Sequence, residues 1–237
     1  MKFIMNPNSN TLDKQLARLA DETTLEERFE ILKTLVEYWR GEIEPSDAYS
    51  PDELEGISIP AALENWFLWA GKFTNIMNGQ NFLLEPSELD TCSIPFIFHE
   101  ENQYCYVWAT TNEEEDPPVY GREDESDPWQ LEGLRVSEHL ILTCIFESIL
   151  HCADHRVRIG WLEEPQVAFL REHIPPVPLS PWHWLETTFY AGLDRFMFTT
   201  KNYNQVGTNG YTVWIGSKTE PALDFLKEIE DETWHYL

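Results

Sequence analysis

The sequence predicts an α+β fold, a mostly antiparallel sheet with helices packed against one face, plus an N-terminal helical extension. Three observations carry this. Aromatic and β-branched runs come in close pairs, Phe96-Ile97-Phe98 with Tyr104 to Trp108, and Arg195 to Thr200 with Tyr211 to Ile215, each pair separated by turn-competent residues. Helical periodicity gathers in separate blocks, which suits strands in runs with helices grouped on one side. Finally, 10 Trp, 9 Tyr and 13 Phe in 237 residues are far too many for an acidic disordered chain and enough to fill a sizeable core.

The elements follow in order. Leu25, Phe29, Leu32, Val36 and Trp39 recur at helical spacing, with Thr24 and Glu27 placed as a capping box and Gly41 as a stop. That helix has one apolar stripe and must dock on something, most simply its own domain. Residues 42–55, with Pro45 and Pro51, read as a linker, so that 1–53 form the extension and 54–237 the main domain. The runs on either side of Glu101-Asn102-Gln103 should then pair as an antiparallel hairpin.

Pro117 and Pro118 remove two backbone donors in a row, which should end that ladder and set an extended exit. Around and after them lies the most polar stretch of the chain, with Glu113, Glu114, Glu115, Asp116, Glu123, Asp124, Glu125 and Asp127 against the single base Arg122. Such a run repels itself and reads as one solvated loop open to cationic partners. Ser137 can cap the next helix, whose Ile141, Ile145 and Ile149 form one stripe. The last third carries proline punctuation from Pro175 to Pro181, the two strand runs joined through Gly207, Asn209 and Gly210, and a final helix from Glu220-Pro221 with Leu223, Leu226 and Ile229 inward.

With 42 acidic against 16 basic residues, the net charge of -26 repels nucleic acid and anionic membrane and speeds encounter with a basic partner. Solubility alone accounts for such a charge in most acidic proteins. Cys92, Cys105, Cys144 and Cys152 fall into no paired CxxC spacing, and Met1 to Met5 is too short for a leader. Reduced thiols in a cytoplasm, packed as small core or boundary hydrophobes, are the simplest reading.

Catalytic readings have little to stand on. His151 and His155 could share a helical face and hold a metal, yet no HExxH glutamate lies between them, and a histidine near a helix C-terminus is a favourable dipole partner. Cys144 or Cys152 with His151 and Asp154 makes a nucleophile only on paper. GxGxxG, Walker and GxSxG motifs are absent. The expectation is therefore no enzyme, no cofactor and no bound metal.

One block resembles a known family. Glu101-Asn102-Gln103, followed by Trp108 and then Asp116-Pro117-Pro118-Val119, is similar to the central signature of the SUKH superfamily, known mainly as bacterial immunity proteins. Ile59-Pro60 with Leu63 and Phe67, Asn81 to Leu84, Val136 to Leu140 and Tyr211 to Ile215 resemble its other elements in the right order, so the likeness covers 54–237. The resemblance implies binding without catalysis, in which a cytoplasmic protein neutralises a cognate toxin, often a nuclease, of a polymorphic toxin system. It makes Glu101, Asn102, Gln103, Trp108, Pro117, Pro118 and Val119 mainly fold-defining and leaves the eight carboxylates as the partner contact. The alternative is a regulatory scaffold of the same fold.

Overall fold

The structure is a computed structural model that describes residues 9–73, 76–192, 194–203, 209–229 and 234–236. In chain order its elements are α1 (Ser9–Ala17), α2 (Leu25–Arg40), α3 (Ala61–Ala70), β1 (Asn81–Leu83), β2 (Phe96–Glu101), β3 (Val107–Thr110), β4 (Pro118–Arg122), β5 (Gln130–Arg135), α4 (Val136–His151), β6 (His155–Leu162), α5 (Glu164–His173), β7 (Thr188–Gly192), β8 (Arg195–Tyr203), β9 (Asn209–Ser217) and β10 (His235–Tyr236), with short 3-10 turns between them. The class is α+β. The strands form two five-stranded antiparallel sheets, ordered β1-β2-β3-β4-β5 and β10-β6-β9-β8-β7, where the sequence had pointed to one. Strand β5 runs without a loop into the 16-residue α4, and β6 of the second sheet follows that helix.

The chain divides into two compact units, Thr23–Glu147 and Met1–Glu22 together with Ser148–Leu237. These bounds differ from the 1–53 and 54–237 division expected from the sequence, because α2 packs inside the first sheet's unit. Phe29 meets Trp69 of α3 edge-on with ring centroids 5.8 Å apart. The linker of residues 42–55 is stitched down as well. Tyr49 N–H donates to the Phe67 carbonyl at 2.9 Å and Lys72 N–H to Asp47 at 2.8 Å.

Within the unit Thr23–Glu147, α2 starts and stops where its caps dictate. Glu27 N–H donates to Thr24 Oγ1 at 3.2 Å, Thr24 N–H donates to Glu27 Oε2 at 2.9 Å, and Gly41 ends the helix at φ 87°. Its buried stripe is wider than expected, Ile31, Leu35 and Tyr38 joining Leu32, Val36 and Trp39, while Leu25 and Phe29 stay half-buried. Helix α4 departs further from a single stripe. Besides Ile141, Ile145 and Ile149, its Leu140, Leu142, Thr143, Cys144 and Phe146 are buried, the mark of a helix inside a core.

In the other unit, Val157, Ile159 and Leu162 of β6, Met197 of β8 and Val213 and Ile215 of β9 form the core with Val167 and Leu170 of α5. Helix α1 packs on β7 through a face that buries Leu12 and Leu16. The expected final helix is a 3-10 helix, Glu220–Glu228, with Leu223 and Leu226 inward and Ile229 packed beside them. Asn209 and Gly210 begin β9, while Gly207, like Met1 to Met5, lies outside the described residues. Among the described residues no helix is long and apolar enough to cross a membrane.

Candidate partner-binding surface

The acidic run is two turns, not one loop. Strand β4 passes through its middle, paired with β3 on one side and β5 on the other. Glu113, Glu114, Glu115 and Asp116 fall in the β3–β4 turn, and Glu123, Asp124, Glu125 and Asp127 in the β4–β5 turn. At a strand rise of about 3.3 Å per residue, the two carboxylate groups sit roughly 20 Å apart at opposite ends of the sheet. No periodicity would have shown this, because the hydrogen bonds that make Pro118–Arg122 a strand come from β3 and β5.

Both turns are fixed by hydrogen bonds. In the first, the Glu115 carbonyl accepts from Ala62 N–H at 2.9 Å at the start of α3, Asn112 Nδ2 donates to Ser58 Oγ at 2.9 Å, and Arg135 Nη1 donates to the Asp116 carbonyl at 2.7 Å. In the second, Asp124 Oδ1 accepts from Ser126 N–H at 2.9 Å, Asp127 Oδ2 accepts from Asp124 N–H at 3.2 Å, and the Arg122 guanidinium stacks 4.1 Å over the Trp129 ring. The Ser126 hydrogen bonds hold the Asp124 carboxyl below the usual aspartate range. Seven carboxylates are thus exposed on hydrogen-bonded turns.

The eighth is placed differently. Asp116, expected in solvent, is 5% exposed. Its Oδ2 takes Arg28 Nη2 at 2.7 Å and the Ser137 hydroxyl at 2.6 Å, and its Oδ1 takes Ser137 N–H at 2.9 Å. Arg28 Nε donates back to Ser137 Oγ at 2.7 Å, which closes the network. A buried carboxylate survives here because it is paired and fully hydrogen-bonded. The same contacts correct the role of Ser137. Asp116 caps α4 from outside, and Ser137 lies within the helix as its donor.

The residues of the family-like block differ in burial. Glu101 is 3% exposed, and its Oε2 accepts from Gln103 N–H at 2.8 Å and from the Cys105 thiol at 3.0 Å, so it organises the turn from within. Tyr104 takes φ 59° there, and that turn keeps Tyr104 and Cys105 out of the ladder. Asn102 is half-buried and Gln103 exposed. Pro117 and Pro118 differ from expectation: Pro118 opens β4 opposite Arg135, while the Pro117 carbonyl accepts from Val136 N–H at 3.1 Å. Proline is tolerated at the first residue of a strand, where its missing donor costs nothing. Val119 is buried in that strand.

Trp108 is fully buried and stacks on His99 with centroids 4.6 Å apart. His99 Nδ1 lies 2.8 Å from His139 Nε2 of α4, so one neutral ring donates and the other accepts. Burial pushes His99 down to about 3, and burial together with His99 pushes His139 down too. Tyr106, its hydroxyl donating to Glu132 at 2.6 Å, is raised by burial and then by that bond. A Cβ at Gly121 would collide with both groups, which explains the glycine opposite Trp108. Glu147 of α4 is raised to about 7 by burial, against the pull of backbone N–H groups from Gln80 at 2.7 Å and Asn81 at 2.8 Å.

The opposite face of this sheet was missed from the sequence. Antiparallel register puts Ile97, Ala109, Tyr120 and Leu131 in one row across four strands, and Phe82, Glu100, Val107 and Arg122 in a second. Leu131 is 58% exposed and Phe82 37%; Ile97, Val107, Tyr120, Trp129 and Arg122 are half-exposed. The alternation Val119, Tyr120, Gly121, Arg122 was the available signal, hidden because Gly121 and buried Glu132 occupy inward positions.

His151 ends α4 and His155 begins β6, so the two do not share a helical face. His155 lines a cavity of about 510 Å³ with Arg156, Glu220, Asp224, Lys227 and Tyr236, where the two signs of charge offset one another. Cys144 is buried and Cys152 half-buried, but Cys92 and Cys105 lie in turns and are exposed, contrary to the expectation of packing. No family model, curated protein or solved structure matches the chain.

Proposed function

We propose that the protein is a non-catalytic immunity protein that binds and neutralises a cognate nuclease toxin of a bacterial polymorphic toxin system, acting in the cytoplasm without cofactor or metal. The observation that carries this is the pair of rigid acidic turns, seven exposed carboxylates held at the two ends of one sheet. A nuclease must be basic where it grips phosphate, and fixed carboxylates compete for that surface at electrostatically steered rates. The likeness of the block from Glu101 to Val119 to the SUKH superfamily supports the same class. Turns already ordered by Ala62, Ser126 and Arg122 lose little conformational freedom on binding, which favours affinity.

The test is to read the genes beside this chain's own for a toxin domain and co-express that domain with the protein, paired with a nuclease assay using purified components. Neutralisation requires that growth be rescued and that one equivalent of protein abolish cleavage. Binding without loss of cleavage would make the protein a scaffold and defeat the immunity reading.

A further inference from the structure

We propose that the open face of the β1–β5 sheet, centred on Tyr120 and Leu131, is the docking seat for a protein segment with an apolar centre and basic side chains at both ends. The proposal rests on the binding function above and names the seat. The two faces of this sheet differ sharply. Leu83, His99, Trp108 and Gly121 form one cross-strand row that is buried, save for Gln130 at its end. On the other face Ile97, Tyr120 and Leu131 share a row with the buried Ala109, and Phe82 and Val107 share the next with Glu100 and Arg122; all of these but Ala109 reach solvent. Neighbours across an antiparallel pair lie on one face, so Phe82, Ile97, Val107, Tyr120 and Leu131 span a strip about 19 Å wide at 4.8 Å per strand, interrupted by Glu100 and bordered by Arg122.

Such a strip has the composition of an interface centre, where tyrosine, tryptophan and aliphatic residues anchor and charged residues form the rim. Charge selects the occupant. Glu113 to Glu115 lie beyond one end of β4, and Glu123, Asp124, Glu125 and Asp127 beyond the other. A ligand lying along β4 therefore crosses carboxylates, then apolar surface, then carboxylates. Its complement is cationic at both ends and apolar between them. A second copy of this chain is disfavoured, because a two-fold contact through this face would set carboxylates against carboxylates in a chain of net charge -26.

The experiment uses the full chain and two synthetic peptides, each with three arginines at either end. One has a centre of alternating leucine and tyrosine, the other a centre of serine and glycine. Fluorescence anisotropy should give the apolar-centred peptide at least tenfold tighter binding, and Tyr120→Ser or Leu131→Ser should erase that preference while circular dichroism and melting stay as in the parent. Both positions are partly exposed, so the variants should fold. Equal affinity for the two peptides, or a preference that survives both substitutions, overturns the proposal. So does sedimentation showing a dimer that Leu131→Ser dissociates, since the occupant would then be a second copy. The function fails separately: a kept peptide preference without toxin neutralisation sinks immunity and leaves the seat, whereas toxin neutralisation undiminished by Leu131→Ser sinks the seat and leaves immunity.

Discussion

Asp116 and Asp124 belong to one acidic run, yet one lies in a closed network of Arg28 and Ser137 and the other faces water over a serine turn. Composition around the two is alike. What separates them is supply: an arginine on α2 and the first turn of α4 converge on Asp116, while Asp124 finds only its own turn. A carboxylate is buried where distant elements deliver enough donors, so charge density along a sequence is a poor measure of exposure.

That contrast can be broken at several points. The largest loss should come from Trp108→Ala, which empties the inward row that both acidic turns frame; roughly 3 to 5 kcal/mol is expected, read by urea unfolding. A Trp108→Ala variant that melts like the parent would make the tryptophan a surface residue. Asp116→Ala should follow at about 3 kcal/mol, because it strands the Arg28 charge in a buried site. Arg28→Met combined with Asp116→Ala should recover part of that loss, and a double-mutant cycle measures the coupling.

A smaller effect concerns pH. His99 and His139 are depressed below the unfolded value near 6.5, so their contribution is fully present above that pH and drains away as pH falls, for His99 toward about 3. Glu147, raised to about 7, acts oppositely, its contribution complete below about 4.5 and lost as pH rises through 7. The two trends should therefore offset one another between about pH 4.5 and 6.5, with net loss of stability below that window. Imidazole resonances of His99 and His139 that titrate near 6.5 in the folded protein would refute the buried neutral pair.

The smallest change in folding should come from neutralising Glu113, Glu114, Glu115, Glu123, Asp124 and Glu125 together, with the melting midpoint held. Their effect belongs to encounter. Association with the proposed toxin partner should slow and lose its steepness in ionic strength, as stopped-flow mixing at low and high salt would record. An unaltered rate at low salt would reduce these turns to solubilising surface.

Local signals were legible in the sequence. Thr24 with Glu27 and Gly41 bracket α2 because caps act within four residues, and the β2–β3 hairpin announces itself by aromatic runs around a polar turn. Distant signals were not. Nothing near Asp116 in sequence marks Arg28 as its partner, and nothing near His155 marks the start of β6, whose pairing partners are β9 and β10. The acidic residues were found, but their separation into two ends depended on β4, a strand whose inward Gly121 has no side chain to reveal its face.

The discontinuity of the unit formed by Met1–Glu22 and Ser148–Leu237 has a consequence for synthesis. Helix α1 leaves the ribosome before Thr23–Glu147, but β7, on which it packs, comes only after the whole of that unit has been made. At about 5 to 20 residues per second the nascent helix waits on the order of ten seconds with Leu12 and Leu16 unshielded, long enough for a chaperone to engage them. Protease nicking near α1 in stalled nascent chains should therefore persist until β7 has emerged, even where Thr23–Glu147 already resists.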